Sequence, residues 1–239
     1  MNQKFYWTVR LFSDGRVVDS KYFETQSERD AFVSEHPEWK KRGKICAENL
    51  EKHLRGEPKM NWIDEAAAKL KRKNQVLFAK DSEYLQDLVM LFQGQDHRVM
   101  VLWALDLAAE SIAQLEEKYP EERRPREALE AAQEWAAGNV KMRFAQRKIL
   151  DCHAVAKEIT SKEDIAICHA IGQACAVVHT AGHALGYPIY DLTALICKYG
   201  IENCGEAVER RKQEYINKLL YWNAHLCDYQ GTWAAFMLK

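Results

Sequence analysis

No run in this chain is both long enough and apolar enough to read as a membrane span. The least charged stretch, Asp164 to Tyr190 (DIAICHAIGQACAVVHTAGHALGYPIY), has no formally charged side chain from Ile165 onward, but three histidines, Gln173 and several glycines interrupt it. A span needs about 20 predominantly apolar residues. There is no Gly-rich phosphate loop, no G-x-S-x-G and no dinucleotide-binding fingerprint, so the common signatures of nucleotide and serine-hydrolase chemistry are missing. The seven cysteines lack C-x-x-C spacing. An odd, scattered set is no disulfide framework, and Cys168 and Cys175 lie in apolar surroundings where a thiol acts as a small hydrophobe. The opening MNQKFYWTVRLF alternates apolar and polar residues, unlike the continuous apolar core of a signal peptide. The expected location is the cytoplasm. An excess of one charge is also lacking: the net charge is −1 over 239 residues, which argues against generic nucleic-acid or membrane-surface binding. Residues 1–80 carry 17 Lys/Arg and 12 Asp/Glu (+5), and residues 81–239 carry 17 and 23 (−6).

What the chain does have is mostly helical patterning. Asp164–Tyr190 is apolar on all sides and rich in small residues, as expected of a central helix packed on several faces. Pro188 should break or kink it near Gly186, with a second helix over Ile189–Lys198. Before it, the three–four apolar spacing predicts helices over Ser82–Phe92, Asp96–Lys118, Arg126–Ala137 and Lys141–Ile159. After it, Val208, Tyr215, Leu219 and Trp222 mark a long amphipathic helix. The N-terminal part reads differently. Lys4–Phe12 and Arg16–Glu24 flank Ser13-Asp14-Gly15, a hairpin signal. Thr25-Gln26-Ser27-Glu28 matches a capping box, opening a helix to about Glu35. The basic run Lys40–Lys44 reads as a solvated segment, followed by a helix around Ile45–Leu54 that breaks at Gly56-Glu57-Pro58. The expected organisation is a small ββα extension over residues 1–60, a linker helix over 61–80 and a helical domain over 81–239. The fold class is therefore mainly α, a bundle of about seven to eight helices with a small N-terminal extension.

Two constellations carry chemistry-capable side chains. His179 and His183 stand four apart, a spacing that can present two imidazoles to one metal, but Thr180-Ala181-Gly182 supplies no glutamate of the H-E-x-x-H kind. Asp106 and Glu110, also four apart, interrupt an apolar helix that Arg124-Pro125-Arg126 follows. These six residues (Asp106, Glu110, Arg124, Arg126, His179 and His183) form the candidate polar cluster. Buried charges must be paired, so the expected role is structural, with Arg124 or Arg126 neutralising Asp106 or Glu110 and the histidines bonded to a carboxylate or carbonyl. A ligand or partner pocket is the second reading. A metal-dependent hydrolase using Asp106, Glu110, His179 and His183 is the third; no Glu-x-x-His motif supports it. The doublets Cys152-His153 and Cys168-His169 are not nucleophile–base pairs, because helix neighbours point about 100° apart. No cofactor, metal or catalytic residue is expected.

The series Asp96-His97-Arg98, Leu102-Trp103-Ala104-Leu105-Asp106-Leu107-Ala108-Ala109-Glu110, Arg124-Pro125-Arg126 with Trp135-Ala136-Ala137-Gly138, Gly172-Gln173-Ala174 and His179-Thr180-Ala181-Gly182-His183-Ala184-Leu185-Gly186 resembles the bacterial putative immunity proteins of the immunity-five-like group. The resemblance covers about Ser82 to Trp222. It implies an all-helical domain and, as partner, the cognate toxin of a polymorphic toxin system; it carries over no catalytic residues. The chain departs from the group in its N-terminal extension and in the bulkier Phe144, Ile149 and Leu150. The acidic balance of residues 81–239 would suit a basic toxin.

Overall fold

The computed structural model describes residues 5–13, 16–47, 50 and 62–238. Among the described residues are nine α-helices and one three-stranded antiparallel sheet. The chain divides into two compact units, Met1–Asn61 with Glu83–Gly94, and Trp62–Ser82 with Gln95–Lys239.

In the first unit β1 (Phe5–Ser13) pairs with β2 (Arg16–Phe23) in the expected hairpin, with Trp7 opposite Phe23 and Arg10 opposite Ser20. The Asp14-Gly15 turn lies outside the described residues. The capping box forms: Glu28 N–H donates to Thr25 Oγ1 and Thr25 N–H to Glu28 Oε2, both at 3.2 Å. It opens α1 (Gln26–Glu35). Phe32 of α1 meets Phe23, Trp39 and His36 at 5.3, 5.5 and 4.3 Å between ring centroids, so the helix closes over the aromatic side of the sheet. One expectation fails here. Lys40–Lys44 is no solvated segment but most of a third strand, β3 (Lys40–Cys46), paired along the other edge of β1. The helix expected to start at Ile45 is strand there, and the rest of that expectation, with the Gly56–Pro58 break, falls largely outside the described residues. The physical reason is that long basic side chains can lie along aromatic rings. Arg42 sits 4.2 Å over Phe12, and Lys44 5.2 Å over Trp7. Gly43 adopts φ 117° beside a bulge, and a Cβ there would come within 2.9 Å of the Met90 carbonyl oxygen. Met90 belongs to α3 (Gln86–Phe92), which packs on β3.

The second unit is helical throughout its regular structure. It comprises α2 (Trp62–Lys71), α4 (His97–Lys118), α5 (Arg124–Ala137), α6 (Met142–Val155), α7 (Lys162–Ala176), α8 (Gly186–Tyr199) and α9 (Gly205–His225). Asp96 caps α4 by accepting from Arg98 N–H at 2.8 Å. Pro125 sits in the first turn of α5, whose end Gly138 closes at φ 86°. The core is shared by α4, buried without interruption from Val99 to Leu105, and α7, which packs against α4, α5, α6 and α8.

The central helix is shorter than its composition predicts. It stops at Ala176, and a 3-10 turn (Ala181–His183) precedes α8. Thr180 opens that turn: its hydroxyl accepts the Gly182 N–H at 3.3 Å, the local bonding that threonine offers at such starts. Pro188 then falls in the first turn of α8, where a missing N–H costs nothing.

Candidate functional site

The chemistry-bearing side chains of the second unit collect between α4, α8 and α9. On α9, Val208, Tyr215 and Leu219 form the buried stripe, and Arg211 and Lys218 recur on the same stripe at helical spacing. Arg211 is therefore carried inward, with its side chain only 14% exposed. Its Nε donates to Asp191 Oδ2 at 2.7 Å, Nη1 to Glu110 Oε2 at 2.9 Å and Glu214 Oε2 at 2.8 Å, and Nη2 to the Tyr187 hydroxyl at 2.9 Å. Tyr215 donates its hydroxyl proton to the same Asp191 oxygen at 2.5 Å. Tyr187 gives its proton to the Leu107 carbonyl at 3.0 Å, which makes Ser111 the donor in the 2.7 Å bond between their hydroxyls. Next to this set, Lys218 Nζ lies 2.8 Å from Asp106 Oδ2 and 3.0 Å from Glu110 Oε1, and Trp222 Nε1 donates to Asp106 at 3.0 Å.

Burial alone would weaken the Arg211 charge, but Asp191 and the two tyrosine hydroxyls outweigh it and hold the guanidinium above its ordinary range. Burial, then the Asp191 carboxylate, pushes both the Tyr187 and Tyr215 phenols up. Lys218 is likewise raised: its bonds to Asp106 and Glu110 overcome its burial. Arg211 and Lys218 are thus held in their charged forms, each bonded to carboxylates on another helix or an adjacent turn. The arrangement fastens α9 to α4 and α8. Outside it lies an open cleft of about 140 Å³, where Asp191, Arg211 and Glu214 meet Gln114, Glu163 and Lys198.

The structure separates the six residues singled out from sequence. Asp106 and Glu110 come together, bridged by Lys218, but neither pairs with Arg124 or Arg126. Arg124 binds Glu122 and Glu158, and Arg126 binds Glu116. The turn after α4 sets the start of α5 beside the end of α4, and Glu116 lies about 9 Å further along the axis than Glu110 at 1.5 Å per residue. His179 is exposed and stacks on Trp135 at 6.1 Å, while His183 Nδ1 lies 3.1 Å from Gln173 Oε1. Since α7 ends at Ala176, the two histidines do not share a helix face. The set Asp106, Glu110, His179 and His183 is not assembled, and among the described residues no group of three or more His, Cys, Asp or Glu is placed to hold a metal ion.

Arg211, Lys218, Asp191, Tyr187 and Tyr215 were not anticipated. The signal was present: a cation at two positions of an otherwise apolar stripe, and an aspartate four residues after a tyrosine in an apolar helix. The two Cys-His doublets also meet. His153 Nδ1 lies 2.9 Å from His169 Nδ1, and Cys152 Sγ donates to the Cys168 carbonyl at 3.5 Å. Burial drives the His153 pKa down to about 4, aided by His169 and His183, and lowers that of His169 too. It pushes the Cys168 and Cys175 thiols up to about 12. These are neutral packing groups, far from the thiolate a nucleophile requires.

A family model described as Imm-5 like putative immunity protein matches residues 90–218. No curated protein and no solved structure matches the chain. The matched segment runs from the end of α3 into α9 and takes in the Arg211 and Lys218 network except Trp222.

Proposed function

The chain belongs to the Imm-5 like putative immunity protein family, and from that premise we propose that it is a non-catalytic protein that binds and neutralises a cognate toxin in the cytoplasm. The observation that carries this reading is the family match over residues 90–218. Two further features support it. The ionised side chains of the network are spent on one another, which suits a rigid scaffold that presents a surface better than a site that must bind and release a substrate. No helix among the described residues is long and apolar enough to cross a membrane, in keeping with an antidote that meets its target in solution.

The test is co-expression with any toxin encoded beside this gene in its host. Restored growth together with a stoichiometric complex of the two purified proteins supports the proposal. Failure to bind that toxin, coupled with turnover of a small substrate by the purified protein, would overturn it.

A further inference from the structure

α6 buries Ala145, Ile149, Cys152 and Val155 at spacings of four and three, against α5 and α7. The same helix carries a second stripe on its outer side, Arg143, Arg147, Leu150 and Ala154, again at spacings of four and three, with Phe144 along its flank. Phe144 is 51% exposed and Leu150 56%. Solvated helix faces normally place polar residues at such positions. Scattered exposed hydrophobics need no explanation, but here Leu150 and Phe144, about 120° apart at 100° per residue, flank Arg143 and Arg147 on either side, which marks a contact surface.

The charges around them are mainly basic, with Asp151 the one acidic residue between Lys141 and Val155. Lys141, Arg143 and Arg147 are exposed. Arg147 meets Asp151 at 3.2 Å with 77% of its side chain still open to solvent, and among the described residues Lys141 and Arg143 have no carboxylate partner. This basic rim runs against the net −6 of residues 81–239, so it is a local feature and not a sample of the general surface.

We propose that the outer face of α6 receives the partner, and that the partner is a protein presenting carboxylates between two apolar sockets. Phe144 and Leu150 enter one socket each, and Arg143 and Arg147 meet the carboxylates between them. The proposal rests on the reading of this chain as a toxin-binding protein and names the face. A second copy of the chain fits poorly, because joining two α6 faces brings Arg143 and Arg147 against their own counterparts. An anionic lipid surface fits less well too: such surfaces are recognised by clusters of about four to eight Lys/Arg, and Asp151 sits within this rim.

The experiment uses the full-length chain with any toxin encoded beside its gene. Phe144→Ala/Leu150→Ala and Arg143→Glu/Arg147→Glu alter exposed side chains, so both variants should keep the wild-type melting temperature. Each should weaken the complex at least 100-fold and abolish growth rescue, and toxin binding should protect residues 142–151 from hydrogen exchange. Leu220→Ala/Tyr221→Ala, on exposed positions of α9, should bind as the wild type does. If the wild type captures the toxin and both α6 variants do so equally well, the face is wrong while the immunity reading stands. If the wild type captures no toxin, both fall together. Sedimentation of the wild type with phosphatidylserine vesicles, lost in Leu150→Ala, would overturn the proposal in favour of a lipid surface. Self-association lost in the same variants would overturn it in favour of a second copy.

Discussion

Arg211 Nε donates to Asp191 Oδ2 at 2.7 Å, and Asp191 accepts the Tyr215 hydroxyl on the same oxygen at 2.5 Å. One guanidinium thus joins α9 to α8 through a buried carboxylate and to α4 through Glu110. Removing one partner of such a pair leaves the other charge uncompensated, which typically costs about 3–5 kcal/mol.

Arg211→Met should therefore lower stability by about 3–5 kcal/mol in denaturant titrations. Arg211→Met/Asp191→Leu should cost clearly less than the two single changes added together, because it strands no charge. Additive losses would show that the pair is not coupled. Arg126→Ala, at the more open Arg126–Glu116 pair, should cost no more than about 1 kcal/mol.

Tyr187 uses its hydroxyl three times, donating to Leu107 and accepting from Ser111 and Arg211. Tyr187→Phe leaves the Leu107 carbonyl, the Ser111 hydroxyl and Arg211 Nη2 without that partner, so a loss of about 1–3 kcal/mol is expected. Tyr187→Phe/Ser111→Ala removes one of the three groups that lose the hydroxyl, and should be less destabilised than the sum of the single changes. A fully additive pair would mean that Ser111 finds another acceptor.

How much of this was legible in the sequence depended on whether a signal was local. The Thr25–Glu28 box, the Asp96 cap, Pro125 and Gly138 act within a turn or two of themselves, and each appears where expected. The third strand was not legible, because its basic residues are stabilised by Trp7 and Phe12 on a strand some 30 residues away in the chain. The ion pairs failed for the same reason. Asp106 and Glu110 were recognisable as buried carboxylates in need of cations. Proximity in sequence suggested Arg124 and Arg126, whereas the fold supplies Lys218 and Arg211 from more than 100 residues away. The central helix was over-read because an uncharged stretch says that a segment is buried without saying that it is continuous.

The burial of His153 makes stability depend on pH. Folding lowers the His153 pKa to about 4 from 6.5, so the unfolded chain binds the proton more readily. The stabilisation is fully present above pH 6.5 and is lost as pH falls towards 4. His169 is lowered in the same direction. Melting temperature should thus fall across this window in the wild type, and more shallowly in His153→Phe. Parallel curves for the two proteins would show that the imidazole is not held neutral. Carboxylates such as Glu116 and Asp164, whose pKa values are lowered in the fold, contribute at the acid end in both proteins and cancel in the comparison.

Gly172 lies under the His153 ring, and a Cβ built there would sit 2.3 Å from His153 Nε2. In a helix interior, alanine is favoured over glycine by about 0.8–1.0 kcal/mol, so propensity and packing pull in opposite directions at this position. The ring is held by its bond to His169 and by the packing of α6 on α7, and cannot simply swing aside. The overlap should win, and Gly172→Ala should destabilise the protein by about 1–3 kcal/mol, as overpacking does. Shrinking the ring reverses the sign. In a His153→Ala background the same Gly172→Ala change meets no imidazole and should raise stability by up to about 1 kcal/mol. If Gly172→Ala is harmless in the wild-type background, the α6–α7 contact is looser than a closed His153–Gly172 fit requires, and the His153–His169 bond loses its anchor with it.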